Sequence, residues 1–335
     1  MKTNPHGKTR FYYKGIGLPF LAAPLAKEPS TAKDFPSSWQ EEVIVERARE
    51  GQPHKGKILA AIQPHCDDLS LFAAGTVAKL IREGYEGYLI RTTNDDHAGR
   101  GATVGEMVTN NSNDNVAVAK ALGLKKVFDL GYRNHMMDNY SMQDIRGRLI
   151  FLFRLLKVDT IVCYDPWGHY EENPDHYITA QAVEAARWMA GGRWDYPEHF
   201  EAGLKPHAVT ERYYFARGPQ LVNRVVDISG TIERKIEANL VNVSQGPAGE
   251  AGAALRSSLE KEGKYLPILG NSDLEANRNY IRHVVLDMDS KRLRGVPSDK
   301  EVGKAYGLEW AERFHYIGAE TSVLSEYMKA NVRSR

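Results

Sequence analysis

Pro64-His65-Cys66-Asp67-Asp68 places an imidazole and two adjacent carboxylates within four residues. Nitrogen and oxygen donors at an open site suit zinc, and an imidazole and a carboxylate three positions apart across a strand-to-helix turn can converge on one cation. One carboxylate is then left over. A base beside a water activated by the metal can take its proton and later deliver it to a leaving amine, which is what hydrolysis of an amide requires. Two ligands hold a metal weakly, so a third is expected from another loop. Asn173-Pro174-Asp175-His176 offers it, next to the polar stretch Asp165 to Glu172. Taken singly, each histidine is more simply a capping or loop residue; the placement of both at strand ends favours the metal.

The elements around these segments alternate. Lys57 to Gln63 is a short apolar run suited to a buried parallel strand, and Asp68 to Glu83 carries apolar residues at helical spacing before Gly84. A strand at 88–93, a helix at 105–122 closed by Gly123 and a strand at 126–130 follow. Ser141 and Asp144 resemble a capping box opening a helix to Lys157. A strand at 160–164 precedes a helix from Pro174 to Met189, with proline in its first turn. Beyond residue 205 the pattern predicts strands at 212–216 and 224–227 and helices at 232–242 and 249–262, with the tail unassigned. The fold class predicted is α/β, a Rossmann-like doubly wound, mostly parallel sheet with helices on both faces. The loops after Gln63, Thr93, Leu130 and Tyr164 should then face one crevice outside the carboxyl ends of the strands. Residues 1–54 lack periodicity and are expected to form an N-terminal arm, with a single domain over 55–335 that carries C-terminal elaborations after about residue 200.

Composition narrows the partners. The 335 residues carry 44 Lys and Arg against 43 Asp and Glu, a net charge of +1, so no global field draws the chain to nucleic acid or an anionic membrane. No apolar run is long enough for an integral membrane segment. Cys66 and Cys163 do not make a disulfide framework. The mildly apolar Gly15–Ala26 stretch is broken by Pro19 and Pro24 and reads as loop or arm rather than signal peptide, which points to a cytoplasmic protein with export left open. A homo-oligomer is open as well. The turn after the first strand lacks G-x-G-x-x-G and offers carboxylates to a pyrophosphate, which argues against a dinucleotide-binding protein.

The motifs resemble those of the PIG-L/LmbE family of zinc-dependent de-N-acetylases. The family's His-Pro-Asp-Asp is matched by His65-Cys66-Asp67-Asp68, followed by Leu69 to Thr76, and its His-Pro-Asp-His by Asn173-Pro174-Asp175-His176. Weaker echoes are Leu130-Gly131-Tyr132-Arg133, Lys235 through Ser244-Gln245, and Ala311-Glu312-Arg313-Phe314. The resemblance spans about residues 57 to 318. It implies an LmbE-like fold, a Zn2+ ion (or another divalent transition metal) on His65, Asp68 and His176, and Asp67 as general base. The implied reaction is de-N-acetylation of an N-acetylglucosamine-type sugar or glycoconjugate.

Departures from the family pattern carry their own expectations. Asn173 stands where the family has a histidine that helps with developing charge, so His169 or Tyr170 is expected to take that role. Cys66 replaces a proline; its thiol is expected to pack rather than bind metal. Asn111 and Asp114 stand where the family often has Arg-x-x-Glu, and Asn134 where an acidic residue is common. Asp95, Asp96, His97 and Arg100 in the loop after the second strand, with Arg133, Asn134 and Asn173, are the candidate contacts to a small sugar-like substrate. Trp167 is a candidate to stack on a sugar face. The rival functions are an amidase acting on a thiol conjugate or acylated natural product, and a sugar-binding homologue with impaired catalysis.

Overall fold

Ile58–Gln63 is apolar in all but its last residue, and in the computed structural model it forms an interior strand with a parallel neighbour on each side. The structure describes residues 42–318 and 323–334. Eight strands make one sheet: β1 (Ile44–Glu46), β2 (Ile58–Gln63), β3 (Glu86–Thr93), β4 (Val127–Tyr132), β5 (Thr160–Tyr164), β6 (Glu211–Phe215), β7 (Arg224–Asp227) and β8 (Ala311–Ile317). Their order is β1-β7-β8-β6-β5-β2-β3-β4. All neighbours are parallel except β8, which runs antiparallel to both β6 and β7. The helices that position the site are α1 (Asp68–Phe72), α2 (Ala74–Arg82), α3 (Val104–Leu122), α4 (Met142–Leu156), α5 (Pro174–Met189) and α6 (Ile232–Leu240). They fall into two packed groups, α4 with α5 and α2 and α3 with α6.

The chain runs from β2 outward through β3 to β4, then returns to place β5 on the other side of β2. That reversal is a topological switch point, where a crevice opens beyond the strand ends. His65 lies two residues past β2 and the Asn173–His176 segment follows β5, so the sheet order alone brings the two motifs to one crevice.

Several local expectations change. The predicted first helix is two, broken at Ala73, whose φ of −139° is not helical. Ser141 begins α4 without a side-chain cap bond, and Asp144 instead accepts from the Tyr132 hydroxyl. Gly123 ends α3 at φ 77°, the left-handed conformation that glycine adopts without steric cost. Residues 44–46, placed by sequence in the arm, form the edge strand β1, and Val43–Arg335 is one unit. A three-residue strand is too short to show periodicity. Its Glu46 is buried against Lys79 at 2.9 Å, and Lys79 also meets Glu83 at 2.9 Å. Gly15–Ala26 and the rest of the arm before residue 42 lie outside the described residues.

β8 was not legible in the tail, yet it locks the sheet to the helices beneath the crevice. Glu312 accepts from the Gly75 and Thr76 amides at the start of α2 and from Lys235 of α6 at 2.7 Å; Lys235 also meets Asp299 at 2.8 Å. Carboxylates are favoured at a helix N-terminus, and a buried lysine needs such partners. Two sequence echoes, Lys235 and Glu312, are therefore one ion pair. No helix among the described residues is long and apolar enough to cross a membrane.

Candidate metal centre and active site

His65, Asp68 and His176 come together, all buried, with one donor atom from each lying within 4.8 Å of the others. His65 Nδ1 stands 3.0 Å from His176 Nε2 and 3.3 Å from Asp68 Oδ2, and His176 Nε2 is 3.5 Å from Asp68 Oδ1. The far side of each ring decides what these atoms are. His65 Nε2 is 3.0 Å from Asp175 Oδ2, and His176 Nδ1 is 3.2 Å from Glu171 Oε1. A carboxylate only accepts, so Asp175 takes the His65 Nε2 proton in a hydrogen bond and the Glu171 charge beside His176 Nδ1 favours the proton there; the other nitrogen of each ring then carries a lone pair. Two imidazole lone pairs and the Asp68 oxygens then converge on one point. Only a cation or protons reconcile them, and carboxylates backing the rings are the outer shell that metal-bound histidines use. The donor set fits a divalent transition metal.

Neighbouring groups hold the ligands in place. Asp68 Oδ2 accepts from the His65 amide at 2.9 Å and Oδ1 from the Tyr164 hydroxyl at 2.7 Å, while the Tyr164 ring stacks on His176 at 4.2 Å between centroids. Burial opposes ionisation of Asp68, but the charges and hydrogen bonds of His176 and His65 hold its carboxyl far below the usual range. Glu171 also takes Arg217 Nη2 at 2.6 Å; against its burial, the bonds from His176 and Arg217 bring it down to about 2. Asp67 goes the other way. Burial and then the charge of Asp68 push its carboxyl up, the setting of a group that holds and releases a proton near neutrality.

The cleft beside these residues measures about 460 Å3, with Asp67, Asn134, Asn173 and Tyr170 in its wall. A larger groove of about 850 Å3 lies beside β4 and α4 and shares no residue with the triad. Asn134 lies 2.9 Å from His65 Nε2, and Asn173 caps α5 by accepting from the Asp175 amide at 3.0 Å. Tyr170 is 92% exposed. His169 is exposed and does not line the cleft, nor do Asp95, Asp96, His97, Arg100 and Arg133. Those side chains hold one another instead: Asp95 pairs with Arg91 at 2.9 Å, Asp96 with His97 at 2.9 Å and Arg133 at 2.8 Å, and Arg100 with Glu250. Trp167 packs edge-on to Tyr214, away from the cleft wall. Glu171, Asp175, Tyr164 and His135 complete the site without having been singled out by sequence.

The unusual residues share one network. Cys66 Sγ lies 3.2 Å from Asn111 Oδ1, 3.3 Å from Asn242 Oδ1 and 3.2 Å from Gln245 Nε2, and the thiol is not among the grouped metal donors. Burial raises its pKa well above the usual thiol value, so it stays protonated. Asp114 accepts from the Val243 and Ser244 amides at 2.8 and 2.6 Å. Together these bonds pin the loop that lays Gly246 against Asp67. A Cβ on Gly246 would come 2.8 Å from Asp67 Oδ2, and its φ of 84° disfavours any side chain. Gly246→Ala is expected to lower turnover at least about tenfold by displacing the Asp67 carboxylate, with bound metal unchanged. Turnover measured beside metal content checks it; a variant as active as the parent removes Gly246 from this role.

Comparisons with known proteins find likenesses in sequence and in fold. The family model "PIG-L: GlcNAc-PI de-N-acetylase" matches residues 60–187. A diacetylchitobiose deacetylase of Thermococcus kodakarensis is 29% identical over 198 residues, covering 57% of this chain and 71% of that protein. A 1D-myo-inositol 2-acetamido-2-deoxy-alpha-D-glucopyranoside deacetylase of Mycolicibacterium smegmatis is 22% identical over 268 residues, covering 65% and 89%. Among solved structures, the N,N'-diacetylchitobiose deacetylase of Pyrococcus horikoshii, complexed with an inhibitor, aligns with a TM-score of 0.59 at 20% identity. That alignment covers 78% of this chain and 84% of the other.

Proposed function

The chain belongs to the PIG-L/LmbE family of deacetylases, and from that premise we propose that it removes an acetyl group from the amide nitrogen of an N-acetylglucosamine-type sugar or glycoconjugate, using zinc. The observation that carries this reading is the convergence of the His65, Asp68 and His176 donor atoms beside a cleft whose wall includes Asp67. Zinc bound there would lower the pKa of a water molecule and polarise the amide carbonyl. Asp67 takes the proton from the attacking water and returns it to the nitrogen as the carbon–nitrogen bond breaks. Asp175 and Glu171 keep the two imidazoles in the tautomers that ligation needs. Asn134 backs His65, and the exposed Tyr170 in the cleft wall meets the sugar.

The substrate class is inferred from the relatives, one named for a diacetylated chitobiose and the other for a 2-acetamido-2-deoxy-glucopyranoside. The test is direct. Protein purified without chelator is expected to hold one zinc per chain and to release equal acetate and free amine from N-acetylglucosamine or N,N'-diacetylchitobiose, with chelation abolishing both. Zinc-loaded protein that releases no amine from either sugar, or from an inositol-linked N-acetylglucosamine, overturns the sugar assignment.

A further inference from the structure

Amide hydrolysis places negative charge on the carbonyl oxygen, and a hydrogen-bond donor waiting for that charge lowers the barrier. Most of the polar groups near the triad are committed elsewhere. His65 and His176 meet carboxylates on one ring nitrogen and the cation point on the other. Asn173 Oδ1 caps α5, and His169 is turned out of the cleft. Among the described residues, the imidazole that lines the cleft outside the triad is His135.

Its backbone is built to put it there. His135 sits three residues past β4 with φ 59°, a left-handed conformation uncommon for a residue with a side chain and often found at functional sites. Its amide donates to Asp175 Oδ2 at 2.6 Å, the same oxygen that faces His65 Nε2 at 3.0 Å. One carboxylate thus fixes both a ligand and the turn that carries His135. The His135 ring centroid is 6.4 Å from that of His65, edge-on at 69°. His135 is exposed and lines the cleft, with the His97 ring as a further neighbour at 6.3 Å between centroids.

We propose that the His135 imidazole donates a hydrogen bond to the carbonyl oxygen of the substrate amide as its charge develops. This rests on the amide-hydrolysis reading above. Water adds its oxygen to the carbonyl carbon while Asp67 takes a water proton, and the carbonyl π electrons move onto the oxygen facing His135. They return as the carbon–nitrogen bond breaks and Asp67 protonates the nitrogen, leaving a carboxylic acid and an amine. His135 keeps its own proton throughout.

The test uses full-length, zinc-loaded protein. His135→Asn suits the left-handed backbone but is too short to reach, so kcat should fall about 10²-fold with KM within threefold and zinc content unchanged. His135→Gln restores reach and an N–H, and should recover about tenfold of that loss. A methylphosphonamide of glucosamine, which mimics the tetrahedral state, should bind H135N more weakly by a factor similar to the kcat loss, while glucosamine binds both alike. An active wild type with H135N within threefold of it in kcat and in analogue affinity overturns the proposal. A zinc-loaded wild type that hydrolyses no acylated amine overturns the amide reading and this proposal with it.

Discussion

Asp67→Asn is expected to lower kcat about 10²- to 10⁴-fold while the protein keeps its zinc. The substitution preserves size and leaves all three ligands in place, so it removes only the ability to accept and return a proton. Burial and the adjacent Asp68 charge already favour the protonated form of Asp67. The working form is the carboxylate, so the parent's activity should fall on acidification as Asp67 takes up a proton, and any residual D67N activity should lack that acid limb. A bound cation adds opposing charge and shifts the limb to lower pH than the chain alone would give. Acetate release across a pH series, with metal measured on the same samples, decides it. D67N turnover equal to the parent's would remove Asp67 as the base.

The elements that carry the ligands were legible because each has one period and a clear end. β2 is a continuous apolar run, α3 closes on Gly123, and α5 opens on Asn173-Pro174, where proline suits the first turn. Alternation of strand and helix then fixed the crevice, and His65 and His176 had to share it. What sequence missed depends on tertiary contact. β1 is three residues long, and β8 joins the sheet antiparallel after more than eighty residues without a strand, so neither could be paired by pattern.

The outer shell was hidden for a different reason. Asp175 precedes His176 in α5, and consecutive helical side chains point about 100° apart, so His176 reaches Asp68 while Asp175 reaches the far side of His65. Their division of work follows from helix geometry and not from the motif itself. Asp95 and Asp96, expected from their polarity to meet sugar, lie outside the cleft wall and pair with Arg91 and Arg133, as buried charges require partners. The departures at Cys66 and Asn111 look independent in sequence. In the fold they are one hydrogen-bonded patch behind the loop that carries Gly246, a neutral set in which each residue supplies what the next one needs.

His176→Ala should abolish stoichiometric zinc binding and with it activity, because a carboxylate and one imidazole cannot hold the ion that three donors hold. The metal-free parent gives the sharper contrast. In it, hydrogen bonds to Asp175 and Asp68 overcome the effect of burial and raise the His65 pKa well above its ordinary value, so a proton stands in for the ion. Zinc must displace that proton, so its affinity should weaken as pH falls. With free zinc a thousandfold above Kd, binding only to the folded state adds about 4 kcal/mol, which for a chain of this size raises Tm by on the order of 10 °C. H176A should show neither the zinc-dependent rise in Tm nor proton release on adding zinc. Thermal melts with and without zinc and a weakly buffered titration measure both. A parent whose Tm ignores zinc would mean that the converging lone pairs are satisfied by protons alone, and the metal centre would be lost with the chemistry built on it.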